Sequence, residues 1–333
     1  MAYLIVVFVF LSLICSLGRA QTSADGDVVD CVNKYKQKAF EHHRLTNHKL
    51  QEAPSEFPTI TESYKKGKWR TKEAQLSTAQ CPQGTIPVRR DGATLTRTEP
   101  DSPSSTPGHE YALVSTKSPS KIYGAKAKIN VWASKVEEGS DEMSIGQIWL
   151  TTGEYKTDNV NTIEIGYQVY PMFYLDNNPR LFIFWTNDTY KSGCYNLQCP
   201  GFIQTSGSIV LGGSITPISS FGGSQSEITV LVWKDPKQGN WWLSIGSLVI
   251  GYWPAELFRE LGDYATTVEY GGEITNSLTS GRHTTTEMGT GRFSDEGVGK
   301  VSYIRNMEFV DYKNNLKSIE DLERKPTNPN EQA

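Results

Sequence analysis

The chain has 333 residues, of which 37% are apolar, 21% charged and 11% aromatic, and its formal net charge is -4 at pH 7. This length is sufficient for one domain with a hydrophobic core and a smaller appendage. The lack of an apolar run of 18 residues argues against a polytopic membrane protein, and the acidic balance argues against nucleic acid as the main partner.

The first 20 residues have the pattern of a secretory signal peptide. Residues 4–17 form an apolar run, and Gly18 and Ala20 supply the small residues that precede a cleavage site. The alternative, a single membrane anchor, is less favoured because this apolar run is too short to cross a membrane comfortably. We therefore expect cleavage after Ala20, secretion to an extracellular place such as a cell wall or a digestive fluid, and no membrane attachment of the processed chain.

Four cysteines remain after this cleavage, an even number for an oxidising compartment. Three pairings are possible; Cys194 and Cys199 would close a small loop, which leaves Cys31 to pair with Cys81. Neither pair has the spacing of a metal site, so we expect no metal and no cofactor. Asn187 begins the single N-x-S/T sequence and is a predicted glycosylation site.

The N-terminal part and the extreme C-terminus differ in composition from the rest. Residues 30–52 mix apolar and charged side chains, which predicts a helix or a helical hairpin. Residues 100–107 are rich in proline and serine and predict an exposed linker, a natural processing point. The residues after Glu320 are polar and contain proline, so we expect a disordered tail.

Between these ends the pattern is that of β-strands. Turn clusters separate nine predicted strands, at 126–132, 144–150, 162–170, 181–186, 228–233, 241–245, 249–253, 267–275 and 301–310. Many short strands with such breaks predict an all-β antiparallel sandwich or barrel. One short helix is expected at 255–261, with Pro254 in its first turn and Gly262 at its C-terminal end.

The familiar nucleophile and cofactor motifs are missing. The chain has no G-x-S-x-G sequence, no Walker loop and no G-x-G-x-x-G that opens a helix. His109 and Glu110 lack the second histidine of a zinc peptidase motif. Carboxylates remain as the candidate chemistry.

Two glutamates on predicted strands are the main candidates. Alternation in 162–170 places Glu164 on one face with a glycine and a glutamine, although a solvent-exposed glutamate on a strand has the same pattern. Glu273 follows two glycines, which mark a bulge or the close approach of another backbone, such as a peptide substrate. Glu287 lies in the threonine-rich residues 284–291, which either line a cleft or form a strand that enters a turn.

Two carboxyl groups are sufficient for hydrolysis when one is ionised and the other protonated. The ionised group takes a proton from the attacking water, and the protonated group donates to the carbonyl oxygen or to the leaving group. The same logic fits a glycosidase. Seven of the eight tryptophans follow residue 106, and an exposed set in a groove would favour a non-catalytic cell-wall module that binds carbohydrate or proline-rich protein.

Residues 161–171, NTIEIGYQVYP, resemble the N-T-I-E-x-G-W-Q-V-Y-P strand of the neprosin family, which are secreted plant glutamic peptidases that cut after proline. Tyr167 stands where the family pattern has Trp. Further segments match in the same order, at 176–180, 193–197, 222–225, 231–236, 251–254, 270–273 and 283–291. The resemblance covers about residues 25–315.

The resemblance implies a secreted zymogen that cleaves peptide bonds after proline at acidic pH without a metal. It implies a signal peptide, an activation pro-segment that inhibits the enzyme, and a β-sandwich catalytic domain. Together with the composition, this predicts a signal peptide at 1–20, a pro-segment with a helix at 21–105, the catalytic domain at 106–320 and a disordered tail at 321–333. The catalytic pair maps to Glu164 and Glu273, with Glu287 in reserve for the second position. The expected substrates are proline-containing peptides or proteins.

Two further expectations concern stability. Similar family members continue into a C-terminal stretch rich in glycine, tyrosine and cysteine, so the edge of the sandwich is expected to be uncovered here, at a cost in stability and activity. His42, His43 and His48 lie in the predicted pro-segment, so we expect acid to weaken its contact with the catalytic domain.

Overall fold

The computed structural model describes residues 20–60, 71–90, 108–117, 121–191, 193–278, 281–319 and 321–327. The predicted signal peptide up to residue 19 and the predicted linker at 100–107 lie outside these residues. The described residues form an essentially all-β protein, as the sequence predicts.

The N-terminal segment, residues 20–90, is built from short strands. They are β1 (Gln21–Thr22), β2 (Val28–Asn33), β3 (Thr59–Ile60), β4 (Thr71–Glu73), β5 (Gln75–Leu76) and β6 (Thr85–Arg89). β1, β2 and β6 form a three-stranded sheet, and the predicted disulfide bond between Cys31 and Cys81 is present.

The helix predicted in this segment is wrong. β2 occupies its start, and only two 3-10 helices, Lys38–Glu41 and His43–Leu45, follow. Val28, Val29 and Val32 are β-branched, and such residues favour a strand over a helix. Pairing of β2 with β1 and β6 then satisfies the backbone of this stretch.

The body of the molecule begins at residue 108 and contains fifteen of the described strands. They are β7 (His109–Thr116), β8 (Gly124–Asn130), β9 (Ser144–Thr152), β10 (Asn161–Val169), β11 (Arg180–Thr186), β12 (Cys194–Tyr195), β13 (Ile203–Gln204), β14 (Ile215–Thr216), β15 (Gln225–Lys234), β16 (Trp241–Ile245), β17 (Leu248–Trp253), β18 (Thr267–Thr275), β19 (Ile304–Val310), β20 (Asn315–Ser318) and β21 (Leu322–Pro326). All nine strands predicted from the sequence are present. A single turn of α-helix, α1 (Pro171–Tyr174), and the 3-10 helices Tyr155–Thr157, Ala255–Leu257 and Ser294–Glu296 connect some of them.

Two sheets pack face to face and form the predicted sandwich. One sheet has the strand order β12-β11-β10-β9-β18-β7-β21, and the other has the order β13-β17-β16-β15-β8-β19-β20-β3 with β4 paired to β15. Alternate residues point into the core between them, among them Ile163 and Ile165 from β10 and Val230 and Val232 from β15. The seven-stranded sheet therefore has a second side, which we call the outer face, that points away from this core.

β9 is the central strand of the seven-stranded sheet. β10 pairs with it on one side and β18 on the other, both antiparallel and without a register shift. Every residue of β9 that points to the outer face therefore has one direct neighbour on β10 and one on β18.

The helix predicted at 255–261 is also wrong. Only the 3-10 helix Ala255–Leu257 forms there, Pro254 precedes it, and Phe258 is extended. Leu257, Phe258 and Leu261 have the spacing of a helix face, but all three are buried in the sandwich core. A helix of this length has a costly nucleus, so the packing of these side chains decides the backbone.

The disordered tail predicted at 321–333 is wrong over residues 321–327. β21 pairs antiparallel with β7 and forms the edge of the seven-stranded sheet next to it. Lys325 on β21 donates to Ser115 Oγ and to Glu269 Oε1, both at 3.1 Å. β21 therefore covers the edge of β7, whereas the sequence led us to expect an uncovered edge in the sandwich; residues 328–333 lie outside the described residues.

The described parts of the N-terminal segment dock on the body at several places. β3 and β4 add two parallel strands to the nine-stranded sheet, next to β20 and β15. Asp27 bonds to the buried guanidinium of Arg180, with 2.6 Å between Oδ2 and Nη1. The carboxylate of Asp235, on the body, accepts the backbone N–H of Ser55 at 2.5 Å.

Candidate active site

Glu164 and Glu273 both lie on the outer face of the seven-stranded sheet. Residues of the opposite strand parity, Ile163 and Ile165 on β10 and Tyr270 on β18, lie in the core between the two sheets and so point to the other side. Both glutamate side chains are fully buried. A buried carboxyl group away from the main core is a candidate for chemistry, because its burial must be compensated by specific partners.

The carboxyl group of Glu164 receives two hydroxyl donors. Thr162 Oγ1, two residues earlier on β10, donates to Glu164 Oε1 at 2.9 Å, and Tyr190 OH donates to the same oxygen at 2.8 Å. Tyr190 reaches this position from the turn after β11, where its backbone has a φ of 62°. Its ring stacks on Phe184, which lies directly opposite Glu164 on β11.

The carboxyl group of Glu273 is held by three side chains from two neighbouring strands. Gln147 Nε2, on β9, donates to Oε2 at 3.0 Å, and Tyr111 OH, on β7, donates to Oε1 at 3.3 Å. His109 Nδ1 lies 2.6 Å from Oε1, also from β7. Donors on both oxygens favour the ionised form of a carboxyl group.

Gln147 lies between the two glutamates in the register of the sheet. Its direct neighbours are Gly166 on β10 and Gly271 on β18. Glu164 and Glu273 are its diagonal neighbours, each two residues away along a different flanking strand. Diagonal neighbours on one face lie about 7–8 Å apart at Cα, which long side chains bridge. The sheet therefore arranges three polar side chains in a diagonal line across β10, β9 and β18.

The two glycines beside Gln147 allow the strands to come close together. A Cβ at Gly166 would collide with the carbonyl oxygen of Gly146, and one at Gly271 would collide with that of Ala112. The bulge considered for Gly271 and Gly272 is absent, because β18 pairs in continuous register on both sides. The backbone that approaches Gly271 is that of β7.

Aromatic side chains enclose the diagonal line on two sides. Trp149, opposite Glu164 on β9, clusters with Tyr111 and Leu113. A second cluster on the outer face includes Phe182, Phe184, Tyr190 and Tyr195. All seven tryptophans of the body are at most 7% exposed, so they do not form the open platform that a carbohydrate-binding module would use.

Glu287, the reserve candidate, is placed elsewhere. Its neighbour Met288 packs against the core side of β18, where a Cβ at Gly272 would lie 2.7 Å from Met288 Cγ. The carboxyl end of Glu287 folds over Gly291. The nearby hydroxyls of Thr284 and Thr286 donate to Glu142 instead of to Glu164 or Glu273. The threonine-rich segment is thus anchored by Glu142, whose pKa stays below its usual value although burial opposes this.

Gln147, His109 and Tyr111 are not among the residues that the sequence predicts for the site. Gln147 is the one long polar side chain in the apolar run 145–150, which is a usable signal. His109 and Tyr111 share strand parity, but nothing in the sequence indicates that β7 pairs with β18. Only the strand order brings them to Glu273.

The structure contains the second predicted disulfide bond and shows the surroundings of the predicted glycosylation site. The bond between Cys194 and Cys199 is present as predicted. Asn187, the predicted glycosylation site, is half-buried, and its Nδ2 donates to Leu257 O at 2.8 Å. A glycan on this nitrogen would have to replace that hydrogen bond, and glycosylation stays a prediction.

Two family profiles match the chain. The profile described as Neprosin matches residues 140–331, and the profile described as Neprosin activation peptide matches residues 20–99. The chain belongs to the neprosin family. In the neprosin family, a domain of this kind behind an activation peptide is a peptidase with its own pro-segment, so the N-terminal segment described above is that pro-segment.

Other features of this neprosin-family chain can now be placed. Tyr167, where the family pattern has Trp, is buried in the core; burial raises the pKa of its hydroxyl to about 12, against the effect of hydrogen bonds with Ser302 and the Trp132 backbone. None of the helices in the described part of the chain is long and apolar enough to cross a membrane. Within the same residues, no three His, Cys, Asp or Glu side chains converge as a metal-binding group.

Proposed function

We propose that the chain is the secreted zymogen of a glutamic endopeptidase that cuts after proline in acid, with Glu164 and Glu273 as its catalytic pair. The observation that carries this is the burial of both glutamates on one sheet face, on either side of Gln147. Membership of the neprosin family and the two disulfide bonds support a secreted peptidase. The proposed division is a signal peptide at 1–20, a pro-segment at 21–105 and a catalytic domain from residue 106.

The contacts of the two carboxyl groups support different roles for them. His109 Nδ1 lies 2.6 Å from Glu273 Oε1. This contact, together with the donors Gln147 and Tyr111, favours the ionised form of Glu273. Glu164 faces two neutral hydroxyls, so it is the group that takes up a proton first. Glu273 is then the general base and Glu164 the general acid.

The reaction follows from these roles. A water molecule between the carboxyl groups attacks the carbonyl carbon of the scissile bond and gives one proton to Glu273, while Glu164 gives its proton to the carbonyl oxygen. A gem-diol intermediate results. Glu273 then passes its proton to the leaving amine, the C–N bond breaks, and one hydroxyl of the intermediate returns a proton to Glu164. Both glutamates end in their starting states.

The aromatic side chains shape the surroundings of the pair. Trp149 and Tyr111 lie beside Glu164 and Glu273 on one side, and Tyr190 lies on the other. All three are buried, so the proposed preference for proline rests on the resemblance to the neprosin family and not on an open aromatic face.

The test is cleavage of a proline-containing peptide by acid-treated protein and by the variants Glu164→Gln and Glu273→Gln. Loss of an acid or base group is expected to lower kcat by about 10²- to 10⁴-fold. Glu269→Gln is the matched control, because Glu269 lies on the same strand and face as Glu273 but pairs with Lys325 at the edge. A variant of either catalytic glutamate that keeps its activity would refute the assignment, and an inactive wild type would refute the proposed function.

A further inference from the structure

Gln147 is a fully buried polar side chain in the middle of the candidate site. A carboxylate oxygen only accepts hydrogen bonds, so the contact with Glu273 Oε2 fixes the amide nitrogen on that side. The amide oxygen Oε1 consequently points away from Glu273. Oε1 is buried and has no hydrogen-bond partner among the described residues.

An unmatched buried acceptor is costly and therefore requires an explanation. Leaving such an oxygen without a donor costs about 1–3 kcal/mol relative to a satisfied group. An apolar side chain of the same shape would avoid this cost, and the rest of the run 145–150 is apolar or glycine. The position of Oε1 on the diagonal between two carboxyl groups indicates that its donor is a molecule that enters the site.

The two direct neighbours of Gln147 place no side chain between it and the glutamates. Gly166 and Gly271 flank it on both sides, and neighbouring backbone fills the positions that their Cβ atoms would take. The amide of Gln147 is therefore the polar group that lies between Glu164 and Glu273 in the register of the sheet. A water molecule that gives a proton to Glu273 in this place has Oε1 of Gln147 as a second acceptor.

We propose that Gln147 is a third catalytic residue, whose Oε1 accepts a hydrogen bond from the attacking water while its Nε2 holds Glu273 in position to take the other proton. This inference rests on the proposed function. In the attack step, one O–H bond of the water breaks and its proton goes to Glu273. The second O–H stays intact, points at Gln147 Oε1, and directs the oxygen lone pair towards the carbonyl carbon.

The variant Gln147→Leu tests this role, because it keeps the approximate shape and removes both polar atoms. We expect kcat on a proline-containing peptide to fall by about 10²-fold, within the range of positioned acid–base groups, while KM changes less than about threefold. The thermal unfolding midpoint should fall, because the variant leaves the buried Glu273 Oε2 without its donor, and this cost exceeds the gain from removing the unmatched Oε1. The split between kcat and KM therefore carries the test: a purely structural role would lower the midpoint and leave kcat on the peptide nearly unchanged.

Gln168→Leu is the matched control. Gln168 is also a fully buried glutamine on the outer face, and its Oε1 is likewise without a partner among the described residues, but its Nε2 donates to Tyr174 OH instead of to a catalytic carboxyl group. We expect its kcat to stay within about threefold of the wild type, since it touches neither glutamate of the pair.

The outcomes separate the inference from the proposed function. If the wild type cuts the peptide and Gln147→Leu retains kcat within threefold, the role of Gln147 is refuted and the glutamate pair stands. If the wild type does not cut, both are refuted. Should Gln147→Leu fail to fold, Gln147→Asn retracts the amide by one methylene and must show the same loss of kcat.

Discussion

Glu273 and Glu164 differ in what surrounds them, and this difference is the basis for assigning their roles. A histidine and two further donors meet Glu273, whereas two hydroxyl groups meet Glu164. Two carboxyl groups in one buried site resist ionising together. In the proposed mechanism, this difference makes Glu273 the member of the pair that loses its proton first.

In the proposed mechanism, His109 acts through Glu273 and is a positioning residue. The variant His109→Gln keeps a hydrogen-bond donor near Glu273 Oε1 but removes the imidazole that lies 2.6 Å from this oxygen. Glu273 should then take up a proton at a higher pH, since the histidine contact supports the ionised carboxyl group. We expect the acid limb of the pH profile of kcat to move up by about one pH unit, with KM little changed.

His283→Gln is the control for this measurement. His283 also touches a carboxylate, with 3.2 Å between its Nδ1 and Glu110 Oε1, but Glu110 is on the opposite side of β7 from Tyr111. Its acid limb should coincide with that of the wild type. An unshifted limb in His109→Gln would show that the imidazole does not influence Glu273.

The sequence predicts one part of the site and misses another for a physical reason. Glu164 and Glu273 lie on strands with clear alternation, so their faces can be read directly from the sequence. His109 and Gln147 reach Glu273 only because β7 and β9 both pair with β18, over sequence separations of more than 120 residues. Strand order at this range depends on tertiary packing, and a local pattern does not encode it.

At the scale of elements, the same contrast holds for strands and helices. The nine predicted strands are present because alternating apolar residues satisfy two packed sheets. The predicted helices at 30–52 and 255–261 are absent because spacing alone does not specify a short helix. Val28, Val29 and Val32 prefer a strand, and Leu257 and Phe258 are placed by the core.

β21 protects the edge of the seven-stranded sheet, which carries the candidate site. β7 carries His109 and Tyr111, and without β21 its outer edge would expose unpaired backbone groups. A deletion of residues 321–333 should therefore lower the thermal unfolding midpoint by at least about 4 °C and increase aggregation. Both effects can be measured by thermal unfolding monitored together with light scattering.

A deletion of residues 328–333 alone is the matched control. It retains β21 and Thr327, whose backbone N–H bonds to Tyr111 O at 2.9 Å. We expect this shorter deletion to unfold like the full chain. Equal midpoints for the two deletions would mean that β21 does not stabilise β7.

At the scale of the whole molecule, the pro-segment is attached to the body by groups that titrate in acid. Burial acts to raise the pKa of Asp25, but hydrogen bonds from Ser214 on the body and from Ser23 and Ser77 outweigh it and lower this pKa to about 2. The pKa of Asp235 is also lowered against the effect of burial, by hydrogen bonds from Ser55 and nearby backbone groups. Both carboxylates therefore stabilise docking only while they are ionised.

Protonation of His42 in the pro-segment also weakens docking, but for a different physical reason. Burial, and then the charges of His43 and Arg44, lower its pKa below the usual 6.5, and its ring packs against His43 and against Trp185 of the body. Once released, the histidine binds a proton more readily than when docked. Its contribution to docking is present above pH 6.5 and falls as the pH decreases below that value, while the contributions of the two aspartates fall below about pH 4.

Docking of the pro-segment is accordingly expected to weaken in two stages between pH 7 and pH 3. Hydrogen exchange of the Ser214 and Ser55 amides reports it directly, because these groups donate to Asp25 at 2.6 Å and to Asp235 at 2.5 Å. The double variant Asp25→Asn/Asp235→Asn imitates the protonated carboxyls, so it should lose protection already near neutral pH. Asp30→Asn should behave like the wild type, because Asp30 pairs with Arg90 inside the pro-segment. Protection that persists unchanged in the wild type down to pH 3 would exclude acid as the signal for release.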